Sequence, residues 1–295
     1  RMRFPSLSKW AVRRGAALKT KARALYENAA RDADESPAAL TGPAAWEPPT
    51  DASELKNEAE TIGIESRLQT LGADVAGLQE LLTYGLKGTA AYADHAMILG
   101  HEDEDVYAFF HEALDYLVRT DVSADDLLAI CLRCGEVNLK VMGLLDAAHT
   151  GAYGHPQPSN VRIEPLEGKA IVVSGHDLKD LEELLKQTEG KGINVYTHGE
   201  MLPAHGYPGL RKYKHLAGNY GGAWQDQQKE FDAFPGAILM TTNCIQKPRP
   251  GYMDRIFTSG LVAWPEVTHI SDRDFSPVIE AALAAPGFAE AGSDR

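Results

Sequence analysis

Short apolar runs that end at glycines mark the second half of the chain. Residues 170–174 (AIVVS) are almost entirely apolar, which is typical of a strand buried on both faces of a parallel sheet. Leucines then recur at helical spacing over residues 178–185, with acidic residues in the early turns. Residues 193–197 (INVYT) predict a second strand and residues 237–241 a third. This order predicts a parallel β-α-β unit with a right-handed crossover.

The first half of the chain has the periodicity of helices. Leucines at i, i+3, i+4 and i+8 predict one helix, and periodic runs over residues 106–118 and 124–148 predict two more. The leucines of the first pattern are Leu78, Leu81, Leu82 and Leu86. The acid run at residues 101–106 is expected to begin a helix, where the helix dipole favours carboxylates. Residues 36–53 contain four prolines and predict a long loop.

Prolines within residues 154–165 (GHPQPSNVRIEP) block helix continuation just before the first predicted strand. We therefore predict an α/β protein in two parts. A helical domain over residues 1–160 is followed by a Rossmann-like parallel α/β domain over residues 161–295. The length of 295 residues suits about two domains, and 44% hydrophobic residues suffice for their cores.

A side chain of metal-ligand type follows each predicted strand. His176 follows the first strand, Glu200 the second and Cys244 the third. Ligands of open α/β sheets bind in the crevice outside the carboxyl ends of the strands. Imidazole, carboxylate and thiolate form a mixed set that could hold iron, or less readily zinc. The spacing alone does not identify the metal.

Each of these residues also has a plain structural interpretation. His176 lies in a Gly-His-Asp turn and could cap a helix, and Glu200 could be a solvated loop acid. Cys244 alone could be an inert buried thiol. Their shared position at strand ends is what favours a common site.

Several long segments of the chain carry a more specific signal. They are VVSGHDLKDLEELLKQTEGKGINVYTHGEMLPAHGYP, LRKYKHLAGNYGGAWQDQQKEF, ILMTTNC, GLKGTAAYADHA, NLKVMGLLDAAHTGAYGHPQP and GLVAWP. Together they resemble the hybrid cluster protein family, also called hydroxylamine reductases. The resemblance covers roughly residues 78–277 without a large gap. Blocks of this length are far more specific than a three-residue signature.

The resemblance implies an iron–sulfur–oxygen hybrid cluster that reduces hydroxylamine to ammonia and water, with nitric oxide reduction as an associated activity. Matched motif by motif, His176 and Glu200 would ligate iron on the open, substrate-facing side and be the catalytic residues. Cys244 would ligate as a thiolate near the sulfide-bridged part. The implied partners are a small nitrogen-oxide substrate and an electron-donor protein.

The chain also departs from the family pattern. Family members have a second iron–sulfur cluster, whose ligands are absent from this chain, and a further α/β domain that completes the hybrid cluster. The sequence has only three cysteines, Cys131, Cys134 and Cys244, whereas the electron-entry cluster alone would need about four. We therefore expect a fragment that lacks the other domains of its polypeptide and is inactive by itself. A truncated non-catalytic paralogue, a binding module and a mononuclear metal site are the alternatives.

Charge and composition limit the other functions. A net charge of −13 argues against nucleic-acid binding, and no apolar run is long enough to span a membrane. Few cysteines and no secretory signal predict a cytoplasmic protein. Only bases occur before Glu27, which resembles a transit peptide in composition, although Val12, Ala16 and Leu18 suit a helix that packs.

The remaining motifs are weaker. Cys131 and Cys134 have the spacing of a redox or metal pair, but residues three apart within a helical run also share one packing face. His205 could line a substrate approach or be a structural hydrogen-bonding group, and His215 carries no stronger signal. The GNYGG segment at residues 218–222 lacks both a G-x-G-x-x-G pattern and a predicted preceding strand, so a nucleotide site is poorly supported.

Overall fold

A computed structural model of the chain describes residues 4–119, 121–242 and 244–291. The described helices are α1 Phe4–Asp32, α2 Gly42–Ala45, α3 Ala52–Ile62, α4 Ile64–Ile98, α5 Glu104–Val118, α6 Ala124–Tyr153, α7 Leu178–Thr188, α8 Pro208–Arg211, α9 Gln227–Ala233 and α10 Ser276–Ala284. The strands are β1 Lys169–Ser174, β2 Ile193–His198, β3 Leu216–Asn219, β4 Ala237–Met240, β5 Ile256–Ser259 and β6 Thr268–Ile270. A 3₁₀ segment covers Gly199–Gly206, and a single 3₁₀ turn covers Trp224–Asp226.

The described strands form one parallel sheet of order β3-β2-β1-β4-β5-β6. The chain runs outward from β1 through β2 to β3, then returns to the other side of β1 with β4. The strand order therefore reverses between β1 and β4, as in Rossmann-type sheets. This topology and the helical first half confirm the predicted α/β fold class.

Buried aliphatic and aromatic side chains cover both faces of the sheet. One face packs Ile171, Val173 and Leu239 against α7 and α10, and the other packs Val172, Ile238 and aromatic residues. Strands buried on both faces require continuous apolar runs, which explains why β1 and β4 are readable in the sequence. Strand β3 was not predicted, and it includes Gly218 of the GNYGG segment, so the expectation of no strand there was wrong.

The chain forms two compact units. One contains residues 1–89 and 103–139, and the other contains residues 90–102 and 140–295. The division falls within α4 and α6, two long helices. The boundary after residue 160, inferred from the prolines, stays a prediction about domain organisation.

The first unit has its own apolar cluster. Its buried members are Leu82, Leu86, Phe109, Ala113, Leu127, Ile130 and Cys134. Leu81 is 59% exposed, so its predicted place on the packed face was wrong. The acid run does begin a helix, because the Asp103 carboxylate accepts hydrogen bonds from the first N–H groups of α5. The proline-rich segment is not wholly a loop, since it contains α2 and the start of α3.

The basic start of the chain belongs to α1, apart from Arg1 and Arg3, which lie outside the described residues. Leu18 on this helix is 61% exposed, contrary to the expectation that it packs. No helix in the described ranges combines the length and apolar character needed to cross a bilayer.

Candidate metal centre

Three side chains of ligand type lie where the strand order reverses. His176 is two residues beyond β1, Glu200 is two residues beyond β2, and Cys244 is four residues beyond β4. Because β1 pairs with both β2 and β4 in parallel register, the loops after these strands leave the sheet at one edge. Adjacent parallel strands thus place the three residues side by side at the position where α/β sheets bind ligands.

The ligand atoms of these residues converge. His176 Nε2 contacts Glu200 Oε2. The Cys244 Sγ atom lies 3.8 Å from Glu200 Oε2 and 3.9 Å from His176 Nδ1. One nitrogen, one oxygen and one sulfur from the set all lie within 4.8 Å of one another. Residues separated by up to 68 positions in the sequence therefore form one cluster.

The cluster is open on the side of Glu200. The Glu200 side chain is 62% exposed and the His176 side chain 32% exposed. Cys244 is more enclosed, and burial together with the nearby Glu200 carboxylate raises the pKa of its thiol. A bound cation would have the opposite effect, since metals bind the thiolate and release its proton.

His176 is held by the loop after β4. The ring Nδ1 lies 2.8 Å from Thr242 Oγ1, which leaves Nε2 facing the cluster. A hydrogen bond at one ring nitrogen fixes the orientation and tautomer of a metal-ligating histidine. The preceding residue, Gly175, has φ of +115°, and a Cβ there would lie 2.8 Å from the backbone nitrogen of Thr242. Glycine is therefore required for this close approach.

Cys244 is fixed through its backbone by Gln227 at the start of α9. The Gln227 amide, which is fully buried, donates from Nε2 to the Cys244 carbonyl over 2.8 Å. Its Oε1 accepts a hydrogen bond from the Gln246 N–H over 2.8 Å. One buried side chain thus satisfies the backbone on both sides of the cysteine loop.

Glu200 follows a buried histidine. His198, at the end of β2, places Nδ1 3.0 Å from Ser174 Oγ and Nε2 2.9 Å from Glu230 Oε2. Gly199 then turns the chain with φ of +56°, and Glu200 comes next. Ser174 bonds to Nδ1 and is buried, unlike the exposed serine on Nε2 of a hydrolytic triad. The contacts of His198 with Ser174 and Glu230 therefore anchor the end of β2, which leads to Glu200.

A buried polar layer lies at the start of α7, next to His176. Asp177 caps the helix, accepting from the N–H groups of Lys179 and Asp180. The Asp180 carboxylate accepts from Ser259 Oγ over 2.5 Å and from Arg273 Nε over 2.7 Å. Such charge-assisted bonds in a buried setting make the turn that carries His176 rigid.

The donor set fits a transition metal. Imidazole, carboxylate and thiolate are the side chains that bind iron and zinc, and three protein ligands with an open side are typical of reactive rather than structural sites. The Thr242 contact to His176 supplies the outer hydrogen bond expected of a histidine ligand. The residues present therefore fit part of a metal centre.

The other histidines singled out in the sequence lie elsewhere. His205 is buried and has Nε2 3.0 Å from Thr197 Oγ1, and burial lowers its pKa. His215 has Nε2 3.0 Å from Thr188 Oγ1 and 3.1 Å from the Leu185 carbonyl. Both are hydrogen-bonding residues of the fold.

Sequence reasoning missed the residues that support the cluster. Thr242, Gln227, His198 and Glu230 lie within the segments that resemble the family, but each acts through a partner distant in sequence, as with the 66 positions between His176 and Thr242. Their place in those segments is the signal that could have found them.

The parallel sheet and the cluster of His176, Glu200 and Cys244 mark this chain as an α/β protein with a candidate metal centre. A family model described as the Prismane/CO dehydrogenase family matches residues 6–294. The chain therefore belongs to that family, and the family resemblance predicted from the sequence is confirmed.

The curated relatives reported below are all named hydroxylamine reductase. The chain is 57% identical to the protein of Rhodospirillum rubrum over 284 residues, which is 96% of this chain and 52% of the relative. It is 63% identical to that of Syntrophobacter fumaroxidans over 236 residues, covering 80% of this chain and 43% of the relative. The Burkholderia ambifaria protein is 53% identical over 277 residues, or 94% and 50%. The chain spans about half the length of the curated relatives it matches.

Proposed function

We propose that this chain is part of an iron–sulfur oxidoreductase that reduces hydroxylamine. The observation that carries the proposal is the convergence of His176, Glu200 and Cys244 at the reversal of the strand order. Family membership implies iron–sulfur chemistry, and the relatives reported above are named for hydroxylamine reduction.

The three side chains would hold part of a hybrid iron–sulfur–oxygen cluster. Cys244 would bind as a thiolate, and the imidazole and carboxylate would bind at the open side, where a hard oxygen donor suits oxidised iron. When bound, the cluster supplies the two electrons that, with two protons, convert hydroxylamine to ammonia and water. Nitric oxide is the second candidate substrate.

The protein residues bind and orient. Thr242 holds the His176 ring at Nδ1 while Nε2 contacts Glu200, and Gln227 holds the loop of Cys244. The exposed Glu200 carboxylate borders the open side and can accept a hydrogen bond from an N–H or O–H group of a small substrate. The substrate path would therefore reach the cluster past Glu200.

The rest of the machinery would lie outside this chain. One of its three cysteines belongs to the candidate site, so the remaining hybrid-cluster ligands and those of a second iron–sulfur cluster would come from other segments of a longer polypeptide. Coverage of only about half of each relative supports this arrangement. We therefore expect the isolated chain to show no turnover, and the complete enzyme to take electrons from a donor protein.

The test uses the longer polypeptide that contains this chain, purified without oxygen. Hydroxylamine-dependent oxidation of a reduced viologen dye is measured for the unmodified protein and for His176→Ala and Glu200→Ala. Loss of an iron ligand removes several kcal/mol of transition-state stabilisation, so each variant should lose about 10³-fold or more in kcat. Urea unfolding of both variants should stay close to that of the unmodified protein.

A matched control is His155→Ala, since His155 is exposed and lies in the same unit. It should retain full activity. Substantial turnover in His176→Ala or Glu200→Ala would reject their assignment. Iron without acid-labile sulfide in the active protein would instead indicate a mononuclear site. Such sites have three protein ligands, and His176, Glu200 and Cys244 could also supply these.

A further inference from the structure

A cleft of about 550 Å³ opens beside the edge strand β3. One wall comes from the segment before β1, including Ser159, Asn160 and Arg162, and the other from residues 211–217. None of His176, Glu200 and Cys244 lines it. Its volume lies within the range of about 300–1,000 Å³ that small-molecule sites occupy.

The walls of the cleft are held in place by hydrogen bonds. Ser159 Oγ donates to the His205 carbonyl over 2.8 Å, and the Asn219 N–H donates to the Arg162 carbonyl over 2.8 Å. A Cβ at Gly218 would overlap the Arg162 carbonyl oxygen, so this approach depends on glycine. The segment before β1 therefore stays fixed along β3, and the cleft exists without a ligand.

The charges of the lining side chains do not balance. Arg162, Arg211 and Lys214 face a single acid, Glu164. Neither the Arg162 guanidinium nor the Lys214 ammonium has an ion-pair partner among the described residues. Three cations in one cleft stand out in a chain whose net charge is −13. They create a local positive potential that attracts anions.

Arg211 has a buried donor without an acceptor. Its Nη2 donates to Gln157 Oε1 over 3.0 Å, whereas its Nε is buried and has no hydrogen-bond partner within the part of the chain that the structure describes. Because Nε is enclosed by protein atoms, a ligand would reach Arg211 through the terminal nitrogens of the guanidinium, one of which Gln157 holds in place.

The remaining lining is neutral or apolar. His205 is uncharged at neutral pH, because burial lowers its pKa, and its Nε2 already contacts Thr197. Val161, Tyr213, Leu216 and Ala217 supply apolar surface. A ligand of this cleft would therefore combine an oxyanion group with a less polar body.

We propose that this cleft binds a small organic phosphate, with the phosphate oxygens on Arg162, Arg211 and Lys214. Planar guanidinium groups bind phosphate oxygens through paired hydrogen bonds, and lysine adds a mobile point charge. The body of the ligand would lie along Tyr213 and Leu216. The proposal is independent of the metal centre, because its residues and its chemistry are different.

The test is isothermal titration of the 295-residue chain at low salt with AMP, with inorganic phosphate and with adenosine. AMP should bind at one site per chain, phosphate more weakly, and adenosine not measurably. Lys214→Gln should weaken AMP binding about tenfold, since it removes one charge-assisted contact to the phosphate. The exposed Lys214 makes no hydrogen bond to the described residues, so this variant should fold normally.

Two further variants make the test specific. Among the described residues that line the cleft Glu164 is the single acid, so Glu164→Gln should tighten AMP binding severalfold. Lys191→Gln, which removes an exposed cation elsewhere in the same unit, should change it little. Equal losses in Lys214→Gln and Lys191→Gln would overturn the proposal, because they would indicate nonspecific attraction. Adenosine binding as tight as AMP binding, or no saturation by AMP, would also overturn it.

Discussion

The two groups of cysteines in this chain have opposite surroundings. Cys131 and Cys134 lie three residues apart on α6 and pack into the apolar cluster of the first unit, where Cys131 Sγ lies 3.5 Å from the Leu78 carbonyl. A Cβ at Gly85 would lie 3.0 Å from Cys134 Sγ, so little space remains there. Cys244, by contrast, lies in a loop at the sheet edge beside a histidine and a carboxylate.

This difference shows why spacing is a poor guide to thiol chemistry. Burial raises the pKa of both helical thiols, as it does that of Cys244, so the thiol pKa does not distinguish the groups. The difference is that no third ligand lies beside Cys131 and Cys134 among the described residues. Residues three apart on a helix share the face that packs, and packing is the commoner reason for that pattern. Side chains after adjacent parallel strands share an open edge instead.

The largest difference between Cys244 and the two helical cysteines should appear in metal binding. Co²⁺ added to the anaerobic 295-residue chain should give a thiolate charge-transfer absorption. Cys244→Ser should abolish this absorption and weaken binding about 10²- to 10³-fold, because each ligand of a tight site contributes several kcal/mol. Cys131→Ser and Cys134→Ser should leave both quantities unchanged.

The helical variants are matched controls, since they are the same substitution in the same chain. A comparison of unfolding free energies is needed as well, because Ser at the buried Cys134 leaves a hydroxyl in an apolar cluster and should destabilise the protein. Loss of the Co²⁺ absorption in Cys131→Ser would contradict the distinction drawn between the groups.

The elements that were predicted correctly are those with buried, continuous patterns. The limits predicted for β1, β2 and β4 agree with the structure to within a residue. Strands β3, β5 and β6 were missed. Length is not the reason, because β4 also has four residues; its run AILM is wholly apolar, whereas LAGN, IFTS and THI contain polar residues and form strands by pairing with neighbours. Leu81 fitted the helical pattern and is nevertheless exposed.

The candidate site, too, could be predicted from the sequence only in part. Strand ends placed His176, Glu200 and Cys244 together correctly, because parallel strands must end at one edge. The side chains that orient them could not be predicted, since Gln227 and Thr242 are defined by contacts between loops and not by any pattern around them. The sequence thus brought three candidate ligands together, and their role in binding a metal stays a prediction; the contacts that orient them are visible only in the structure.

Gly175 is the position where the sheet-edge site should be easiest to break. Ala there would keep φ of +115°, which strains any L-residue, and would place Cβ 2.5 Å from Thr241 Oγ1 as well as against the Thr242 backbone. We expect a loss of about 3 kcal/mol in unfolding free energy, measured by urea denaturation, together with weaker Co²⁺ binding.

Gly190→Ala is the matched control for backbone strain. Gly190 also has positive φ, at +73°, but no atom outside its own local backbone lies within 4 Å of the position that an alanine methyl group would occupy. It should cost about 1 kcal/mol and leave Co²⁺ binding intact. Equal effects of the two substitutions would mean that the close approach of Gly175 to the loop after β4 contributes nothing to the unfolding free energy or to Co²⁺ binding.

Asp180 tests the buried polar layer next to His176. Burial and the neighbouring Asp177 carboxylate raise the pKa of Asp180 to about 6, despite the hydrogen bonds from Ser259 and Arg273. His95 also faces this layer, with Nδ1 3.8 Å from Asp177 Oδ2. Because the folded state holds the Asp180 proton more tightly than the unfolded chain, this residue's contribution to stability falls as pH rises from about 4 to about 6 and is constant above that range.

Comparison with Asp180→Asn isolates this contribution, since the amide does not titrate. Between pH 4 and pH 7 the unfolding free energy of the unmodified chain should fall by about 2 kcal/mol relative to that of the variant, as measured by urea denaturation at each pH. Asp274→Asn should show almost no such difference over this range, because hydrogen bonds from Ser276 lower the pKa of Asp274 and its contribution is lost only as pH falls below about 4. Parallel pH profiles for the unmodified chain and Asp180→Asn would show that the Asp180 carboxylate is as easily ionised in the folded protein as in water, and that the layer beside His176 is more open to solvent than the packing around Cys134.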